Sequence, residues 1–201
     1  MKTALLLSGG MDSLSLAWWK RPDIAFTFDY GQLAAEAEIA ASKAICKRLC
    51  IQHYVDRVDC RAFGSGDMAG TDANRLAPAT DWWPFRNQLL ITLAAMRAVS
   101  LGVSSLWLGT VKTDNCHGDG TADFIDAINR LTSCQEGGLQ IAAPAIDLST
   151  QDLIRLSGLP PEVLAWAHSC HTANVPCGCC RGCNKYFEVF ADLGYDLDRV
   201  G

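Results

Sequence analysis

Apolar residues in this chain come in short runs separated by polar, glycine-bearing turns, and the period inside the runs switches between strand-like and helix-like. The run at 3–7 is apolar after its first residue, as a strand buried on both faces should be. Beyond Gly9-Gly10, positions 13–20 are apolar nearly all round and read as a helix. Residues 24–28 then read as a second strand, 33–49 as an Ala-rich helix and 53–58 as a third strand. The stretch 60–80 carries Gly, Asp, Asn and Pro without a steady period, which predicts a long loop and a candidate lid. Helix returns at 87–100 and stops at Gly102, followed by a strand at 105–109, a polar loop, a helix at 123–131 and a strand at 140–145. Ser149 with Asp152 has the form of a capping box, Pro161 can start another short helix, and 184–193 closes the pattern before Gly194. This alternation predicts an α/β fold, a doubly wound and mainly parallel sheet with helices on both faces.

Composition narrows the class. With 201 residues, 49% hydrophobic and 19% charged, the chain fits a single domain, 1–201, with a core that needs no disulfides. The N-terminal apolar run is too short for a signal peptide or a membrane span, so a cytoplasmic protein without membrane contact is expected. Ten cysteines in a reducing compartment then mean metal ligation or buried thiols. A net charge of -5 and no obvious Lys/Arg cluster point to a small-molecule substrate and away from nucleic acid; a homodimer is left open.

The chemistry begins where the first strand meets the first helix, at Ser8-Gly9-Gly10-Met11-Asp12-Ser13. The glycines let backbone approach a phosphate, successive N–H groups and the helix dipole attract the anion, and Ser8 and Ser13 add hydroxyl donors. Asp12 cannot attract phosphate. It suits bracing the loop or placing Mg²⁺. Near the other end, Cys170, Cys177, Cys180 and Cys183 can close a tetrahedral Zn²⁺ site with no open position, a structural arrangement within the segment 170–183. Cys179 lies outside that register, His171 is an alternative ligand, and redox use of the cysteine pairs is the rival reading.

The hexapeptide resembles in full the PP-loop of ATP pyrophosphatases, which have an adenine nucleotide alpha hydrolase-like, Rossmann-like fold and cleave ATP between its α- and β-phosphates to adenylate an oxygen. Phe28-Asp29-Tyr30-Gly31-Gln32 with Glu36, Trp83-Pro84-Phe85-Arg86-Asn87, and the four cysteines with Pro176 and Gly178 are similar to the 7-cyano-7-deazaguanine synthase (QueC) branch. The resemblance implies a ligase using ATP, Mg²⁺ and a structural Zn²⁺. Its substrates would be the carboxylate 7-carboxy-7-deazaguanine and ammonia, and its product the nitrile, reached through carboxylate and then amide activation. It also implies that Ser8, Gly9, Gly10, Met11, Asp12, Ser13, Asp29, Gly109 and Thr110 hold the nucleotide, and that Asp12, Ser13, Arg86 and Asp114 serve the chemistry.

The chain departs from that branch at Leu33-Ala34, where Arg-His is usual, across Asn115-Cys116-His117-Gly118-Asp119-Gly120-Thr121-Ala122, and at Thr150, where a lysine is usual. Two alternatives stay open: a diverged relative adenylating another carboxylate, an amide or a tRNA base, and a non-catalytic nucleotide-binding module. Lys112 reads as a solvated loop charge or a substrate contact. Cys46 and Cys50 read as buried thiols of a helix, Trp18-Trp19 and Trp82-Trp83 as packing residues or loop anchors, with base stacking by Trp82-Trp83 left open, and His53 and His168 as non-catalytic.

Overall fold

The computed structural model describes residues 1–114 and 116–195. Its strands are β1 (Thr3–Leu6), β2 (Ile24–Asp29), β3 (Gln52–Arg57), β4 (Ser105–Leu108) and β5 (Gln140–Ala142). They form one five-stranded, all-parallel sheet in the order β3-β2-β1-β4-β5, with Ala4 paired to Ile24 on one side and to Leu106 on the other. The order reverses between β1 and β4, which places a crevice at their carboxyl ends. The helices are α1 (Met11–Lys20), α2 (Ala35–Leu49), α3 (Arg86–Ser100), α4 (Ala122–Ser133), α5 (Thr150–Ser157), α6 (Pro161–Leu164) and α7 (Arg181–Asp192).

Alternation along the strands sorts the core into two layers. Ala4, Ile24, Phe26, Phe28, Leu106, Leu108 and Ile141 pack with α3 and α4, whereas Leu5, Leu7 and Ala25 face α1, α2, α5, α6 and α7. The sheet is therefore doubly wound, as the residue pattern predicts. Among the described residues no helix is long and apolar enough to cross a membrane.

Three differences from the sequence expectation bear on the site. Helix α1 begins at Met11, two residues early, because Gly10 is still extended (φ -77°, ψ 163°) and caps it; Asp12 and Ser13 thus sit in its first turn. Helix α7 begins at Arg181 and not at 184, because the Cys180 sulfur accepts the Cys183 N–H and caps the helix. Within the stretch 60–80 the first half is folded down, with single helical turns at Arg61–Phe63 and Asp67–Ala69 and with Cys60, Ser65 and Met68 buried, whereas 70–76 is exposed, so the expected loop is packed at its base and open at its tip. Smaller shifts leave α2 starting at Ala35, where the Gln32 side chain bonds Tyr30 N and Phe28 O around Gly31 (φ 102°), and β5 ending at Ala142. Cys46 is buried, but Cys50 is exposed in the left-handed residue that ends α2. Trp83 is a packing residue, edge-on to Tyr30 at 5.0 Å.

Candidate active site

A cleft of about 450 Å³ opens at the β1/β4 crevice, and the loop between β1 and α1 forms its floor. Ser8 Oγ and Ser13 Oγ lie 3.2 Å apart, the Ser13 hydroxyl donates to Gly10 O (3.0 Å), and Gly10 N donates to Ser8 Oγ (3.4 Å). Gly9 takes φ 79°, and a Cβ there would sit 2.5 Å from Glu38 O, so the loop closes tightly on α2. Across the crevice, a Cβ on Gly109 would meet Ser13 Cα at 3.0 Å and Ser13 N at 3.1 Å, so any side chain there would push β4 away from the start of α1 by a few tenths of an ångström. A small anion can therefore approach bare backbone at a helix N-terminus, which is the fit a nucleotide phosphate needs.

The sequence-selected residues separate in space. Ser8, Gly10, Met11, Asp12, Ser13, Arg86, Gly109, Thr110 and Asp114 line the cleft, although the Met11 side chain is buried in the core beside α1. Gly9 shapes the loop from behind. Asp29 sits just outside the cleft lining, between Phe28 and Tyr30, which line it, with its carboxylate accepting from Gly31 N (3.1 Å) and facing Arg57 at 3.4 Å. Glu36 is exposed and outside the cleft lining, whereas Glu38, two positions on, lines it, as does Glu188. Lys112 is exposed and lines nothing there, and Asn115 lies outside the described residues.

Several cleft residues were not singled out by sequence. Lys185, from α7, places Nζ 2.9 Å from Asp12 Oδ2 and 3.3 Å from Asp114 Oδ1. Burial raises the Asp12 pKa, with Lys185 opposing; Asp12 Oδ1 is buried without a hydrogen-bond partner, as is Thr150 Oγ1. Asp114 Oδ2 accepts from Val111 N (3.2 Å) and Lys185 engages Asp114 Oδ1 and Asp12 Oδ2, which leaves Asp12 Oδ1 as the oxygen of this pair able to meet a cation such as Mg²⁺. Arg86 forms no ion pair among the described residues; its Nη1 lies 2.7 Å from Met68 Sδ. Glu38 accepts from Gln32 (2.7 Å), and burial pushes its pKa up to about 6.

The far end of the cleft is a polar cluster around Asp81. Arg181 Nη1, His117 Nε2 and His171 Nδ1 approach its carboxylate at 3.1, 3.5 and 3.6 Å. Burial pushes Asp81 upward, but these three groups outweigh it and hold it well below the usual carboxylate range. Arg181 also reaches Cys116 Sγ at 2.7 Å. The spacing of Arg181 and Lys185, four apart in the helix that Cys180 caps, was the available signal for both.

Behind this cluster the sulfurs of Cys170, Cys177, Cys180 and Cys183 all lie within 4.8 Å of one another. Cys177–Cys183 and Cys170–Cys180 are each 3.9 Å apart, close to the roughly 3.8 Å edge of a tetrahedron with Zn–S bonds near 2.3 Å. Backbone N–H groups of His171, Cys180 and Cys183 point at these sulfurs (3.3 to 3.4 Å), the kind of support thiolate ligands receive. The donor set fits Zn²⁺. Cys179 stays outside it, exposed, and His171 turns to Asp81 instead of serving as a ligand.

Comparison with known proteins agrees with this assembly. A family model described as "Queuosine biosynthesis protein QueC" matches residues 2–194. The chain is 29% identical to the 7-cyano-7-deazaguanine synthase of Methanosarcina barkeri, with all of both chains covered. It is 30% identical to that of Methanospirillum hungatei and 32% identical to that of a Nitratiruptor species, each over 96% of both chains. A nucleotide-type loop at the switch point, a four-cysteine knuckle beside it and similarity over nearly the whole length make the chain a member of the QueC family.

Proposed function

We propose that this chain is an ATP-dependent ligase that converts 7-carboxy-7-deazaguanine and ammonia into the corresponding nitrile. The observation that carries the reading is the shared cleft: the Ser8–Ser13 loop at one end and an Arg86 guanidinium with no ion-pair partner among the described residues face the same space of about 450 Å³. Family membership supplies the substrate class, since the compared relatives are named for this product.

The chain's own groups have separable tasks. Ser8, Gly10 and Ser13 donate to phosphate oxygens, Asp12 through its unpartnered Oδ1 would hold Mg²⁺, which would supply charge screening, and Arg86 orients the substrate carboxylate by a planar, two-pronged contact. The carboxylate oxygen attacks the α-phosphorus and pyrophosphate leaves. Ammonia then forms the C–N bond, losing a proton as AMP departs. The amide oxygen is adenylated by a second ATP, and loss of two N–H protons with departure of AMP leaves the C≡N bond. Alignment and exclusion of water supply most of the acceleration, so no nucleophilic side chain is required. The four cysteines hold a structural Zn²⁺.

The test is mass spectrometry of the purified chain with ATP, Mg²⁺, ammonium and 7-carboxy-7-deazaguanine. Nitrile whose formation requires ATP is expected. ATP turnover supported only by other carboxylates, or only by tRNA, would overturn the substrate assignment in favour of a relative whose recognition loop at 116–122 has diverged.

A further inference from the structure

Helix α7 joins the metal knuckle to the nucleotide loop. Cys180 caps it and Cys183 lies in its first turn, so the sulfur cluster fixes where the helix starts. Gly182 seats that start against the knuckle: a Cβ there would overlap Ser169 O and come within 2.8 Å of His171 Nε2. Arg181 and Lys185, four residues apart on one helix face, both enter the cleft.

Lys185 is the better placed of the two to meet a ligand. Its ammonium carries three N–H donors, of which Asp12 takes one at 2.9 Å and Asp114 a second at 3.3 Å. The third has no protein acceptor among the described residues, and 34% of the side chain is open to the cleft. Asp12 stands in the first turn of α1, beside the backbone amides that would face phosphate, where a bare carboxylate would repel the anion. Lys185 neutralises that charge and keeps a donor in hand.

We propose that Lys185 is a phosphate-binding residue of this site, delivered from the metal-held helix, so that occupancy of the knuckle and affinity for the nucleotide's phosphates are linked. The inference rests on the ATP reading of the Ser8–Ser13 loop. It adds a fixed cation that the loop itself lacks, and a coupling between the two ends of the chain.

Titration calorimetry on the zinc-loaded chain tests it with MgATP, inorganic pyrophosphate and adenosine as probes. Lys185→Met should weaken MgATP and pyrophosphate roughly tenfold or more, the loss of one charge-assisted hydrogen bond, and leave adenosine binding and bound zinc unchanged. Lys185→Arg should recover most of the loss. By reciprocity, MgATP should slow zinc release to a chromophoric chelator in the wild type but not in Lys185→Met. Unchanged pyrophosphate affinity in Lys185→Met, or a loss shared equally by adenosine, would overturn the assignment; equal protection of zinc in both proteins would overturn the coupling. A wild-type chain that binds no MgATP would overturn the nucleotide reading itself, whereas wild-type binding with an indifferent Lys185 would remove only this inference.

Discussion

At the β1/β4 end of the cleft, Ser8, Gly10 and Ser13 bond to one another within six consecutive residues; at the other end, Asp81 meets His117, His171 and Arg181 from segments up to 100 positions away. The first end is held by a strand, a helix start and glycine backbone. The second is held by charges that converge only if the cysteine knuckle and α7 are seated. The contrast predicts that the fold of the Ser8–Ser13 loop should survive perturbations that dismantle the far end, losing only the Lys185 contact that α7 brings to Asp12.

Removing metal should produce the largest effect. Stripped of metal, four sulfurs within 4.8 Å of one another would have no dication to hold them together. Structural zinc sites contribute folding free energy on the order of 10 kcal/mol, so chelation should release α7 and the 170–180 segment. Hydrogen exchange should then show α7 amides unprotected while β1, β2 and β4 retain protection. Uniform loss of protection would mean that the two ends do not differ.

Asp81→Asn comes next. It removes the carboxylate that three basic groups share and should cost about 2 kcal/mol in thermal or denaturant unfolding. Kinetics should show a raised KM for the deazaguanine substrate, with KM for ATP little changed. Equal losses for both substrates would erase the distinction between the ends.

A smaller effect concerns Glu38, which lies between them. Its folded pKa of about 6 is above its usual value of 4.5, so its contribution to stability is fully present below about pH 4.5 and is lost as pH rises through 6. Glu38→Gln keeps the shape and removes the titration. The variant should gain up to about 2 kcal/mol over the wild type at pH 7.5 and none at pH 4, read from denaturant melts. A pH-independent difference would contradict the burial argument.

The same asymmetry explains what the sequence could disclose. Ser8–Ser13 is legible because its geometry is local: the apolar strand before it, the glycines and the helix after it are contiguous. The cysteines are legible because thiolate chemistry and spacing are distinctive, even though the helix they cap begins three residues before the apolar period indicates. Asp81, His117 and Arg181 carry no such signal, since an isolated charged residue in a loop looks the same whether it is solvated or meets a partner a hundred positions away. Asp29 is only partly legible for a related reason: position at a strand's carboxyl end does not fix side-chain direction, which here follows from Gly31 N and Arg57. The 60–80 stretch looked free because its buried contacts, such as Met68 under Arg86, are non-periodic.

The central claim is that ATP serves to adenylate the substrate carboxylate at the Ser8–Ser13 end of the cleft. Isotope transfer tests it most directly: 7-carboxy-7-deazaguanine labelled with ¹⁸O in its carboxylate is turned over with ATP and ammonium, and the phosphorus products are examined by mass spectrometry and ³¹P NMR. The account predicts ¹⁸O in AMP and none in inorganic phosphate or pyrophosphate. Label in inorganic phosphate, or nitrile formed with unlabelled AMP, would contradict it.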